Sequence, residues 1–180
     1  MSHVPAHLDR MRYPIGRYVP PVDFGSAQRS AWIADIQSLP TELRAAVSEL
    51  DNVAFDRPYR PGGWTIRQVV HHLADSHLNS YIRFRLALTE PNPEIKTYAE
   101  ELWAELPDAR TGPIDLSLVI LDGLHARWTL LLNSLREQDF SRTFRHPQLG
   151  NVTIAGALGL YAWHGRHHLA HIAQGSVEES

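Results

Sequence analysis

Eleven of the 180 residues are histidine, and four of them fall within the eight positions from His164 to His171. His164 and His168 are four residues apart, a spacing that on a helix stacks both imidazoles on one face, one turn apart, where they can hold a single metal ion. On a 3.6-residue wheel the pair shares a stripe with Ile154, Ala157, Leu158, Tyr161, Gly165 and Ile172, the side that faces a bundle interior. His167 and His171 have the same spacing but turn toward Trp163 and Gln174, so they rank second.

Two imidazoles leave a tetrahedral site incomplete, and a third ligand has to come from another helix. His71, His72 and His77 are the candidates. His72 is followed at i+4, i+7 and i+11 by Ser76, Asn79 and Arg83, a polar set that suggests exposure. His77 lies in an apolar stripe but nearly two turns farther on. His71 has Ala74, Leu78 and Ile82 on its side and Asp75 one turn away. It is therefore chosen as third ligand, with Asp75 as an acceptor that could fix an imidazole tautomer. A lone histidine on an apolar face is more often a hydrogen-bonded core residue than a ligand. An aligned pair plus a third histidine with a neighbouring carboxylate favours a metal.

Cysteine is absent, so any metal must use nitrogen or oxygen ligands; imidazoles suit zinc, nickel, iron and cobalt. His125 is a candidate fourth ligand, substrate-binding or proton-transfer group, although a satisfied core histidine reads equally well. Trp103, Trp128, Tyr161 and Trp163 could line a pocket, but aromatics at helical spacing more often build core. Arg83 and Arg85 could hold an anion, although such arginines are usually solvated. There is no Gly-x-Ser-x-Gly elbow, no phosphate-binding Gly-rich loop and no HExxH. Seventeen basic against twenty acidic side chains give a charge of −3, which argues against nucleic acid or anionic lipid as a partner. No apolar run approaches the ~20 residues that span a bilayer. The start of the chain lacks the pattern of a signal peptide, and a cytoplasmic protein with a small-molecule substrate is expected.

The elements that must position these histidines are helical. Residues 1–25 carry Pro5, Pro14, Pro20 and Pro21, which suits an extended arm anchored by Tyr13, Tyr18 and Phe24. A first helix starts at Ser26 and is expected to kink at Pro40. Thr65 followed by Gln68 is a capping box opening a second helix over 66–88. Residues 89–113 hold four prolines and read as a long excursion with one short helix at 98–106. A third helix covers about 115–135, residues 144–154 suit a small hairpin, and a fourth helix covers 154–174, ended by Gly175. The length suits one domain over 1–180, and the pattern an all-α, antiparallel four-helix bundle.

Three stretches carry a family resemblance: Tyr13-Pro-Ile-Gly-Arg-Tyr18; Gly62-Gly-Trp-Thr-Ile-Arg-Gln-Val-Val-His-His-Leu-Ala-Asp-Ser-His77, running on through Asn79-Ser-Tyr-Ile-Arg-Phe84; and Trp163-His-Gly-Arg-His-His-Leu-Ala-His-Ile172. Leu124-His-Ala-Arg-Trp128 and the His146-Pro147 loop add to it. Together they resemble the YfiT branch of the DinB-like superfamily over nearly the whole chain. The resemblance implies an up-down-down-up bundle, a homodimer, and a divalent metal held by three histidines near one end of the bundle. Carried over by position, the ligands are His71, His164 and His168, with zinc as the physiological ion and nickel as the alternative. It further implies a metal-dependent hydrolase using metal-activated water as nucleophile. The alternatives are a low-molecular-weight-thiol S-transferase, whose metal would bind a cosubstrate thiol, and a non-catalytic metal-binding stress protein.

Overall fold

The computed structural model describes residues 6–21 and 25–176. Among these, four long helices dominate: α1 (Ser26–Val47), α2 (Ile66–Thr89), α3 (Ile114–Asn133) and α4 (Ile154–Ser176). A hairpin of β1 (Thr143–His146) and β2 (Gly150–Thr153) precedes α4, pairing Thr143 with Thr153 and His146 with Gly150.

Directions follow from the residues that meet. His71 lies against Ser117 and His77 against His125, so α2 and α3 run parallel. His72 meets His164 and Gly175 packs on Ile66, so α4 runs against α2. Gly165 packs on Leu39 and Gly159 on Trp32, so α4 runs with α1. The bundle is therefore up-down-down-up, and the two parallel neighbours α2 and α3 require the long crossover of residues 90–113.

Each helix begins as its residues dictate. The Thr65 hydroxyl accepts from the Gln68 amide at 3.2 Å while the Gln68 side chain accepts from the Thr65 amide at 2.9 Å, the capping box expected for α2. Pro40 is accommodated inside α1, whose helix continues to Val47. Gly175 does not end α4. It lies within the helix, where a Cβ would stand 3.1 Å from Tyr59 Cα and 3.2 Å from Ile66 Cγ1, so its smallness serves close packing. The excursion carries two short helices, Glu100–Trp103 and Pro107–Thr111, where one was expected. The arm contains a short helix, Ala6–Arg12. Tyr13 stacks on His167 and the Tyr18 ring meets Trp163, so both anchor the arm; Phe24 lies outside the described residues.

The apolar core falls into two clusters. One gathers Trp32, Ile36, Phe84, Trp128 and Leu158 toward the hairpin; the other gathers Leu43, Ile66, Leu73, Leu121 and Ile172 toward the opposite end. Fully burying each such side chain stabilises by roughly 1.5–3 kcal/mol. A layer of histidines separates the clusters. His77, His125 and His164 sit inside their helices, between the two clusters.

Candidate metal centre

His72, His164 and His168 come together. One ring nitrogen from each lies within 4.8 Å of the others, and the Nε2 atoms of His72 and His164 are 3.2 Å apart. His72 is 6% exposed, which overturns the expectation that its polar neighbours leave it in solvent. Ser76 points at the Tyr161 hydroxyl and Arg83 donates to the Lys96 carbonyl, so the polar side of α2 is covered by α4 and the excursion.

His71 is not part of this group. Its Nδ1 is 2.7 Å from Ser117 Oγ and its Nε2 3.2 Å from the Gly112 carbonyl, on the side of α2 that faces α3. The physical reason is a rotation of one residue, about 100° on a helix, which carries His71 away from α4 and His72 toward it. Asp75 is on the His71 side. Burial, and then the charge of Asp108, pushes its carboxyl up to about 6, and among the described residues no hydrogen bond joins it to the three clustered histidines. His125 is not in the cluster either. Its Nε2 is 3.0 Å from His77 Nδ1, and its Nδ1 meets the Ile36 carbonyl.

The clustered imidazoles have buried partners on their far sides. His164 Nδ1 lies 3.1 Å from His77 Nε2. His168 Nδ1 lies 3.3 Å from His171 Nδ1, and His171 Nε2 donates to the Arg12 carbonyl at 3.1 Å. These contacts to His77 and His171 take the place that Asp75 was expected to fill. The helical wheel put His77 on a buried face, but nothing in the spacing revealed which residue it meets.

Burial holds all three clustered rings neutral. His72 is pushed down to about 4 by desolvation, and His164 and His168 well below the usual imidazole range, again first by desolvation and then by neighbouring imidazoles. Neutral imidazole is the form that binds metal. Zn–N bonds of about 2.0–2.1 Å in a tetrahedron set ligand nitrogens about 3.3 Å apart, close to the His72–His164 separation. The buried His167 Nδ1 and Trp163 Nε1 have no hydrogen-bond partner beside the cluster. The donor set therefore fits a borderline divalent cation.

The three histidines open on a cleft of about 690 Å³, within the range of small-molecule sites. Arg12 and Arg60 stand on its rim together with Glu100, Glu101 and Glu105 from the excursion, and Trp64 lines it. Trp64 also packs against the His72 ring at 4.7 Å between centroids.

Fold and site together define a helical-bundle protein with a tri-histidine cluster that opens on a cleft. Residues 35–172 match the DinB superfamily, and the chain belongs to it. A relative from Bacillus cereus, provisionally named a metal-dependent hydrolase, is 56% identical over 165 residues, covering 92% of this chain and 95% of the relative. A Bacillus anthracis protein with the same provisional name is 55% identical over the same length. Among solved structures, YfiT from Bacillus subtilis, described provisionally as a metal-dependent hydrolase with an unusual four-helix bundle topology, superimposes with a TM-score of 0.90. It is 49% identical, with 93% of this chain and 96% of that one covered. TT2238, a four-helix bundle protein, shares the fold at 22% identity and a TM-score of 0.54.

Proposed function

We propose that this protein is a metal-dependent hydrolase of a small polar substrate, holding one divalent ion through His72, His164 and His168. The observation that carries the reading is the convergence of three neutral imidazoles from two helices at the floor of an open cleft. The names given to the relatives point the same way. Zinc is the ion assigned, with nickel as the alternative, because an all-imidazole set suits both. A bound ion of this kind supplies Lewis acidity, polarising a substrate bond and making water a better nucleophile near neutral pH.

The chain's own residues supply the rest. His164 and His168 project from α4 one turn apart, and His72 closes the group from the antiparallel α2. Trp64 shields one side from water, and the Arg12/Arg60 and Glu100/Glu101/Glu105 groups offer both charges to a polar substrate. The reading places the protein in the cytoplasm as a homodimer. No helix among the described residues is long and apolar enough to cross a membrane. Leu116, Val119, Ile120 and Leu130 form an exposed apolar stripe along α3, at a spacing that suits a face shared with a second copy.

The test is metal analysis of the purified protein together with turnover of esters, amides and electrophiles, each with and without a low-molecular-weight thiol. One zinc or nickel per chain and turnover in buffer alone are expected. Turnover only with thiol present would replace hydrolysis by thiol transfer, and bound metal without turnover would leave a metal-binding protein. Sedimentation is expected at about twice the chain mass of 20.4 kDa.

A further inference from the structure

We infer that two backbone carbonyls, acting through buried histidines, fix the tautomers of both α4 ligands so that each presents a bare Nε2 to the centre. His77, His125 and His171 are thereby positioning residues, and Pro40 has a place in the device. The inference rests on the metal reading above.

The first chain starts in α1. Inside a helix the Ile36 carbonyl would accept from the amide four residues on, but that residue is Pro40, which has no N–H. The carbonyl meets His125 Nδ1 instead. A carbonyl only accepts, so His125 Nδ1 carries the proton and its Nε2, in the neutral ring, is a lone pair. His77 Nδ1, 3.0 Å away, must then donate to it, which leaves His77 Nε2 as an acceptor. His164 Nδ1, 3.1 Å from that atom, must donate in turn. His164 Nε2 is left bare, facing His72. His77 and His125 are buried, so water does not compete for these positions.

The second chain is shorter and ends on the arm. Arg12 is the last residue of its helix, where carbonyls lack an intrahelical donor. His171 Nε2 donates to that carbonyl, so His171 Nδ1 is an acceptor and His168 Nδ1 must donate to it. His168 Nε2 is again left bare. Two unrelated carbonyls, one freed by a proline and one by a helix end, thus impose the same tautomer on neighbouring ligands.

The experiment is long-range 1H–15N NMR of 15N-histidine-labelled protein, loaded with zinc and after chelation. His164, His168, His77 and His125 are expected to be protonated at Nδ1 and His171 at Nε2, in both forms. Protonated Nε2, or tautomer averaging, at His164 or His168 in the chelated protein overturns the inference. If the protein binds no zinc, the metal reading fails while these resonances still decide the tautomers. Zinc affinity, measured by competition with a chelator, gives a second readout. His77→Phe and His125→Leu are each expected to weaken it about 10–100-fold, and the double variant to be no weaker than His77→Phe alone. Additive losses would show that His125 acts on the fold in general and would overturn its positioning role.

Discussion

His71 and His72 are adjacent on α2, both are buried, and they occupy two different kinds of polar niche. His71 faces α3 and the end of the crossover, where the Ser117 hydroxyl and the Gly112 carbonyl meet its two ring nitrogens. His72 faces α4, where its Nε2 meets another imidazole nitrogen at 3.2 Å. The first niche is complete within the chain, since hydroxyl and carbonyl together give an imidazole a donor and an acceptor. The second collects nitrogen lone pairs at one point, a set that a cation completes. Burial alone does not separate a ligand from a core histidine; the chemistry of the atoms it faces does.

The largest effect that could break this contrast is on metal content. His72→Ala, like His164→Ala and His168→Ala, is expected to remove most bound zinc, because each deletes one of three protein ligands. His71→Ala is expected to keep it and instead lose about 1–3 kcal/mol of stability to urea, because the buried Ser117 hydroxyl loses its partner and the Gly112 carbonyl is left with Arg67 alone. Metal analysis of the four variants, paired with urea unfolding, decides between the niches. Full zinc in His72→Ala with none in His71→Ala would reverse the assignment.

The one-residue ambiguity also marks what the sequence could reveal. The His164/His168 pair was legible because both residues sit on a stripe of apolar residues whose direction is unmistakable. On α2 the corresponding signal fails, since residues 66–74 are buried all round, by α3 on one side and by α4 and the excursion on the other. Amphipathic contrast, which a wheel reads, is then absent where the ligand has to be chosen. The capping box at Thr65, the hairpin and the four long helices were local and therefore readable. Gly175 has the signature of a helix end, but close approach of Tyr59 and Ile66, set only by tertiary packing, decides its role. The His77–His125–Ile36 chain joins three helices, and its one local trace is Pro40 four residues after Ile36.

The next effect is on pH dependence. In the metal-free protein His72 titrates at about 4, and His164 and His168 well below the ordinary 6.5, because burial penalises the charged rings. The unfolded chain therefore binds more protons than the folded one below pH 6.5. The stability these rings contribute is fully present above that pH and is lost as pH falls from 6.5 toward 4. Urea midpoints are expected to fall over that window, and zinc to raise them most at its upper edge, where protons compete least for the nitrogens. A midpoint that is flat between pH 7 and 4.5 would contradict a cluster of buried neutral imidazoles.

The smallest expected effect belongs to Asp75, on the His71 side of α2. Desolvation, and then Asp108, raises its carboxyl to about 6, so at neutral pH the folded protein carries a charge that its surroundings disfavour. Such a group favours folding at low pH and loses that contribution as pH rises through about 6, the opposite sign to the histidines. Asp75→Asn keeps the shape and removes the charge. Its zinc affinity is expected to match wild type, because the far-side nitrogens of His164 and His168 are held by His77 and His171. Its melting temperature at pH 7.5 is expected to rise by about 2–4 °C, which corresponds to about 1 kcal/mol in a chain of this size, and the gain to shrink as pH falls through about 6 and to vanish only below about 4, where the unfolded carboxyl is protonated as well. A tenfold loss of zinc affinity in Asp75→Asn would mean that the two sides of α2 are coupled, and the separation of a closed niche from an open centre would fail.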